Sequence, residues 1–260
     1  MPHPAIAARD LAGRRILVTG ASSGLGAHFA ETLAAAGAEV ALAARRTDRL
    51  DALAGRITAS GGKAVAVAMD VQDEASIIAG FDAAEATLGP IDVALANAGM
   101  NSRGASVDIS AADFDQVFAI NVRGAFLTAR EAARRMMLRA DAQTGGGRII
   151  VIASIGGLKV LPGLTPYCMS KAALVMMTRA LAREWARTGI CVNAICPGYV
   201  ETELNAEWLS AEGGQRMVQG FPRRRLMRAE DIDDTLFFLA GPRSAYVTGS
   251  IFTLDDGQSI

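Results

Sequence analysis

The sequence has 260 residues, 26 Lys and Arg against 27 Asp and Glu for a net charge of -1, and 51% hydrophobic residues. That balance argues against a disordered chain and against a polybasic nucleic-acid binder, and the length suffices for one large α/β domain with a substantial core. No apolar run reaches the roughly 20 residues of a membrane span, and residues 1–11 lack the apolar stretch of a signal peptide, so a cytoplasmic protein with no nucleic-acid or membrane partner is expected.

In chain order, Arg15–Thr19 reads as a strand, Gly20–Gly26 as a Gly-rich turn and Ala27–Ala36 as a helix that Gly37 caps, followed by a strand at Glu39–Ala44. Helices around 47–60 and 74–88 alternate with strands at 65–69 and 91–96. A long helix around Asp113–Leu138 leads to a strand at Arg148–Ala153. A helix over Pro166–Thr188 leads to Cys191–Cys196, and a last helix, Glu230–Leu239, leads to Ser250–Leu254. The strands are short, rich in Val, Ile and Ala, and mostly not alternating, as in a parallel sheet buried on both faces. The expected fold is a single-domain, doubly wound α/β sheet of Rossmann type spanning 1–260. Residues 198–225 break the rhythm and are expected to form a lid before the last helix. Cys168, Cys191 and Cys196 have no metal-ligand spacing, and no metal is expected.

The turn from Thr19 through Gly20, Ala21, Ser22, Ser23, Gly24 and Leu25 to Gly26 lies between a strand and a helix. Glycines there let the backbone approach a pyrophosphate, which the N–H groups of the following helix then meet. The same residues match a Gly-x-Ser-x-Gly nucleophile elbow. A serine hydrolase also needs a later His base, and the chain has only His3, in its tail, and His28, within the helix after the turn. In NAD-selective sites an acidic residue ends the second strand. Here that place is Ala44, followed by Arg45 and Arg46. Loss of the carboxylate, with guanidinium and the Ser22 and Ser23 hydroxyls nearby, favours NADP(H) over NAD(H), although Asp48 stands close enough to neutralise an arginine.

Tyr167 and Lys171 are four apart and share a helix face. A phenol has a reference pKa near 10, and a neighbouring ammonium lowers it, so the two form a sensible acid/base pair. Lysine is rare here, being present only at 63, 159 and 171, which sharpens that reading.

Asp70-Val71, Asn97-Ala98-Gly99, Asn121 in Ile120-Asn121-Val122, Ser154, Tyr167 with Lys171, and Pro197-Gly198 with Val200 and Thr202 follow the glycine turn in order. Together they resemble the short-chain dehydrogenase/reductase family over about Leu11–Gly257, closest to 3-oxoacyl-carrier-protein reductases and bacterial secondary-alcohol dehydrogenases. The resemblance implies a catalytic tetrad of Asn121, Ser154, Tyr167 and Lys171. Tyr167 exchanges the proton, Lys171 lowers its pKa and holds the nicotinamide ribose, Ser154 orients the substrate oxygen, and Asn121 holds a water. It assigns Asp70-Val71 to the adenine, Pro197-Gly198 to the nicotinamide side and Thr202 to its carboxamide. It also implies a homotetramer built on the long helices. Ala96 and Gln258 depart from the family pattern, away from the expected chemistry.

Met100, Gly156, Leu158, Leu161, Tyr199 and Trp208 are expected to line the substrate pocket. They are mostly apolar and favour an uncharged ketone or alcohol, whereas Arg223, Arg224 and Arg225 in the lid suit a phosphorylated or carrier-bound substrate unless Glu230 and Asp231 pair with them. The leading expectation is an NADP(H)-dependent oxidoreductase acting on a ketone and a secondary alcohol. The alternatives are an NAD(H)-dependent dehydrogenase of a sugar, steroid or hydroxy acid, and a non-catalytic nucleotide-sensing regulator on the same fold.

Overall fold

A computed structural model of the chain describes residues 11–139, 146–203 and 205–260. Among the described residues seven strands form one sheet: β1 (Arg15–Thr19), β2 (Glu39–Ala44), β3 (Lys63–Ala68), β4 (Val93–Ala96), β5 (Arg148–Ile152), β6 (Cys191–Pro197) and β7 (Ile251–Leu254). All neighbours are parallel, in the order β3-β2-β1-β4-β5-β6-β7. Chain order therefore reverses between β1 and β4, and the crevice beyond their carboxyl ends is where a doubly wound sheet binds its ligand.

The described residues also form nine α-helices: α1 (Gly24–Ala35), α2 (Thr47–Ala59), α3 (Glu74–Leu88), α4 (Ala111–Phe118), α5 (Ala125–Met137), α6 (Thr165–Glu184), α7 (Ala206–Ser210), α8 (Glu212–Gln219) and α9 (Asp233–Ala240). Successive side chains of a strand point to opposite faces. Leu17 joins a core with Phe81 of α3, Ala129 of α5 and Leu174 of α6. Its neighbours Ile16 and Val18 join Phe29 of α1, Leu50 of α2 and Leu236 of α9 on the other face. Both faces are covered, which is why the strands lack polar alternation. Each fully buried side chain of this size contributes about 1.5–3 kcal/mol from burial.

Several boundaries differ from the sequence reading for local reasons. Helix α1 starts at Gly24, not Ala27, because the last glycines of the turn already form its first residues. Strand β3 starts at Lys63, which sits opposite Glu39 and pairs with it at 3.0 Å. The long helix expected over 113–138 is three pieces: α4, a wider π-type turn at Ala119–Gly124, and α5. Gly124 lies so close to Val71 that an added Cβ would stand 2.9 Å from its side chain. Helix α6 ends at Glu184, and a 3-10 turn follows before Gly189 (φ +77°) releases the chain. A 3-10 turn, Ala229–Ile232, likewise precedes α9.

The excursion after β6 carries α7 and α8 and rejoins the sheet side through a Val200–Met227 bridge. Arg223 and Arg225 do not pair with Glu230 or Asp231. Both reach Asp256, at 2.6 and 2.7 Å, because the chain leaving β7 passes beside them, and Asp231 is taken by Arg228. Cys191 and Cys196 are buried and Cys168 partly so, all three as free thiols. Among the described residues no helix is long and apolar enough to cross a membrane, and no cluster of His, Cys, Asp or Glu has the arrangement of a metal site. The tail that carries His3 lies outside the described residues.

Candidate active site

A cleft of about 510 Å³ opens at the carboxyl ends of β1, β4, β5 and β6. One end is the glycine turn. Gly20 and Gly24 have φ of +70° and +54°, conformations that cost a side chain strain. A Cβ on Gly20 would stand 2.8 Å from Ala98 Cα, and one on Gly26 would stand 2.2 Å from the Gly20 carbonyl oxygen. The bare backbone of this loop therefore faces the cleft above the first turn of α1, whose N–H groups suit a pyrophosphate.

Thr19 and Asn97 hold the loop from below. The Thr19 hydroxyl donates to Leu95 O and accepts from the backbone N–H of Asn97 (3.0 Å) and Ala98 (3.1 Å). The Asn97 amide donates back to Thr19 O at 2.9 Å. At the end of β2, Ala44 presents no charge to the cleft. The Arg46 guanidinium crosses to the turn and donates to Ser22 Oγ and Ser23 Oγ, at 2.9 and 2.7 Å from its Nη2. Two hydroxyls and a guanidinium thus converge where a carboxylate would repel phosphate. This donor set, with the open glycine cradle, fits a dinucleotide bearing a 2′-phosphate. His28 turns away to Asp233 on α9 (2.8 Å), so among the described residues Ser22 has no histidine base beside it and the nucleophile-elbow reading lapses.

Ser154, Tyr167 and Lys171 line the middle of the cleft. Ser154 lies two residues beyond β5 and caps the short turn Ile155–Gly157, its Oγ accepting from Gly156 N at 3.0 Å. Tyr167 lies in the first turn of α6, which Pro166 helps to start. Burial pushes its phenol up to about 12, and a hydrogen bond with Ser154 opposes that rise. Lys171, 4% exposed, donates to Ile152 O at 2.8 Å. Burial pushes its ammonium down to about 8. Its Nζ lies 5.6 Å from the Tyr167 ring centre. Spacing alone suggested that Lys171 would lower the phenol; here the ammonium is directed at a backbone carbonyl and burial of Tyr167 dominates.

Asn121 sits in the π-type turn, fully buried, and does not line the cleft. Its side chain accepts from Met100 N, donates to Met100 O, both at 2.8 Å, and donates to Ser170 Oγ at 2.9 Å. Ser170 in turn donates to Tyr167 O. Asn121 thus ties the segment after β4 that carries Gly99 and Met100 to the helix that carries Tyr167.

Of the cofactor-side residues expected from sequence, Gly20, Ser22, Ser23, Gly24, Leu25 and Gly26 line the cleft, as do Arg45, Arg46, Asp70 and Val71. So do Asn97, Ala98, Gly99, Pro197, Gly198, Val200 and Thr202. On the substrate side Met100, Leu161 and Tyr199 line it, but Gly156, Leu158 and Trp208 do not. Gly156 lies behind the Tyr167 ring, Leu158 is 46% exposed, and the Trp208 face is covered by Arg103 at 3.9 Å. Sequence reasoning missed Arg103, Gln116 and Asn205. The only hint of Arg103 was a charge three residues beyond the expected pocket residue Met100. Gln258 also proves closer to the site than its departure from the family pattern suggested: its Oε1 accepts from Tyr199 N at 2.7 Å, and Lys159 Nζ donates to its carbonyl at 2.8 Å.

Residues 20–259 match the family model described as Enoyl-(Acyl carrier protein) reductase. The chain is 33% identical to gluconate 5-dehydrogenase of Gluconobacter oxydans, over 100% of this chain and 99% of that protein. It is also 33% identical to D-threitol dehydrogenase of Mycolicibacterium smegmatis, over 96% of this chain and 94% of that protein. Among solved structures, a gluconate 5-dehydrogenase from Burkholderia cenocepacia in complex with NADP and tartrate is 32% identical, with a TM-score of 0.90 over 97% of this chain and 98% of that one.

Proposed function

Because the chain belongs to the short-chain dehydrogenase/reductase family of NAD(P)-dependent oxidoreductases acting on alcohols and ketones, we propose that it is an NADP(H)-linked enzyme interconverting a ketone and a secondary alcohol, with Tyr167 as its acid and base. The observation that carries the cofactor half is the end of β2. No carboxylate stands at Ala44, and Arg46 with the Ser22 and Ser23 hydroxyls is grouped beside the glycine cradle. The solved Burkholderia cenocepacia relative in complex with NADP is in keeping with it.

When bound, the nicotinamide supplies or accepts the hydride. In reduction the Tyr167 hydroxyl gives its proton to the carbonyl oxygen, and Ser154 Oγ, which already bonds the phenol, donates to the same oxygen. In oxidation the proton returns to the Tyr167 oxygen. A phenol held near 12 is protonated at neutral pH, so it stands ready as the proton donor of the reductive direction. Lys171 and Asn121 support the phenol by positioning: Lys171 fixes α6 against β5, and Asn121 fixes α6 against the Met100 backbone. We extend the reading to a homotetramer, supported by the apolar groove of Phe118, Val122 and Phe126 on α4, the π-type turn and α5.

Titration with NADPH and NADH, followed by turnover on a panel of ketones, tests this. NADPH should bind at least about tenfold more tightly, and Ala44→Asp should erase that preference by placing a carboxylate against the 2′-phosphate. Preference for NADH in the unmodified protein would instead support an NAD(H)-dependent dehydrogenase, and binding without turnover would support a nucleotide sensor.

A further inference from the structure

The substrate end of the cleft contains a cation that the chemistry above does not use. Arg103, in the loop between β4 and α4, lines the same cleft as Ser154 and Tyr167. Its guanidinium stacks 3.9 Å above the Trp208 ring of the lid. It also lies beside the Tyr199 phenol, whose pKa burial raises while the charge and hydrogen bond of Arg103 pull it down. Tyr199 itself packs against Trp208 and Phe221. An exposed arginine ordinarily samples many rotamers, but stacking on an aromatic face removes much of that freedom before a ligand arrives.

Among the described residues Arg103 makes no ion pair, and the two acids lining the cleft are engaged elsewhere: Glu203 pairs with Arg49 at 3.0 Å, and Asp70 accepts from Gln72 N. The three lid arginines that sequence reading offered for a charged substrate are not its equivalent, since Arg223 and Arg225 are tied to Asp256 and none of the three lines the cleft.

We propose that Arg103, stacked on Trp208 and flanked by Tyr199, binds a carboxylate of the substrate, so that the enzyme acts on a hydroxy or keto acid. This rests on the oxidoreductase reading given above. A guanidinium presents two parallel N–H donors that match a carboxylate, and Tyr199, accepting from Arg103, keeps its own O–H free as a further donor. A phosphate dianion would call for more than this single charge. Leu161 and Leu164 on the same cleft meet the carbon skeleton, while Ser154 and Tyr167 meet the reacting oxygen.

The test is a matched pair of probes, L-tartrate and L-threitol, which share a carbon skeleton and differ in carboxylate against hydroxymethyl. Each is titrated calorimetrically into NADP⁺-loaded protein at fixed ionic strength, with inorganic phosphate as a third ligand. Tartrate should bind about tenfold or more tighter than threitol and tighter than phosphate. Arg103→Gln should remove the preference with NADP⁺ affinity unchanged, and Arg103→Lys should restore part of it. Equal affinities, no tartrate binding, phosphate binding as tightly as tartrate, or an undiminished preference in Arg103→Gln would overturn the assignment. A protein that holds tartrate through Arg103 yet reduces no ketone would uphold this site and defeat the catalytic reading. One that reduces neutral ketones with no tartrate preference would do the reverse.

Discussion

Gly26 shows how little freedom the cofactor cradle leaves a single residue. A methyl group there would sit 2.2 Å from the Gly20 carbonyl and 2.5 Å from the Asn97 amide nitrogen. Neither partner can yield cheaply, because one is backbone and the other already bonds Thr19 O. Gly26→Ala should therefore cost about 1–3 kcal/mol of stability and sharply weaken NADPH binding, as measured by thermal unfolding and cofactor titration. A variant with the original melting temperature and affinity would show that the loop relaxes freely. The glycines were legible in the sequence because steric need restricts residue type so strongly at such places. The Tyr167–Lys171 spacing was legible too, but not its electrostatics. Whether a phenol's pKa falls or rises depends on how its burial weighs against the charges near it, and here burial of Tyr167 is the largest influence. Arg103 was nearly invisible, since its stacking partner Trp208 lies 105 positions away in the chain.

Between elements, α1 and α9 are joined by a polar link: His28 Nε2 and Thr32 Oγ1 each bond a different oxygen of Asp233. The hydrogen bond to Asp233 raises the His28 pKa above 6.5, and burial opposes it. A raised folded-state pKa stabilises the fold fully below the unfolded value near 6.5 and loses that contribution as pH rises through the folded value. The melting-temperature advantage of the natural protein over His28→Gln should thus be largest below about pH 6.5 and shrink as pH climbs. An advantage that grows with pH would contradict the pairing. Element order and type followed from the hydrophobic pattern, and the sheet order completed a doubly wound fold. The break in the long helix at Ala119–Gly124 was not readable, because a π-type turn keeps helical composition; it places Asn121 inward, where it bonds Met100 and Ser170.

Over the whole molecule, the two walls of the cleft come from segments far apart in sequence, and the last residues bind them together. Gln258 accepts from Tyr199 N at the root of the excursion after β6 and receives Lys159 from the opposite wall, while Asp256 holds Arg223 and Arg225 at that excursion's far end. Composition and periodicity give no sign of such long-range ties, and this is why the segment after β6 was readable as an excursion but not as an anchored one. The same assembly brings Ser154, Tyr167 and Lys171 to the mouth of the cradle formed by Gly20–Gly26. Replacing Tyr167 by Phe removes the proton-exchanging oxygen and leaves the ring and the cradle intact. Ketone-dependent NADPH oxidation should fall by about 10²-fold or more in Tyr167→Phe, with NADPH affinity close to that of the natural protein. Turnover by Tyr167→Phe at the natural rate would contradict the assignment of Tyr167 as the acid and base.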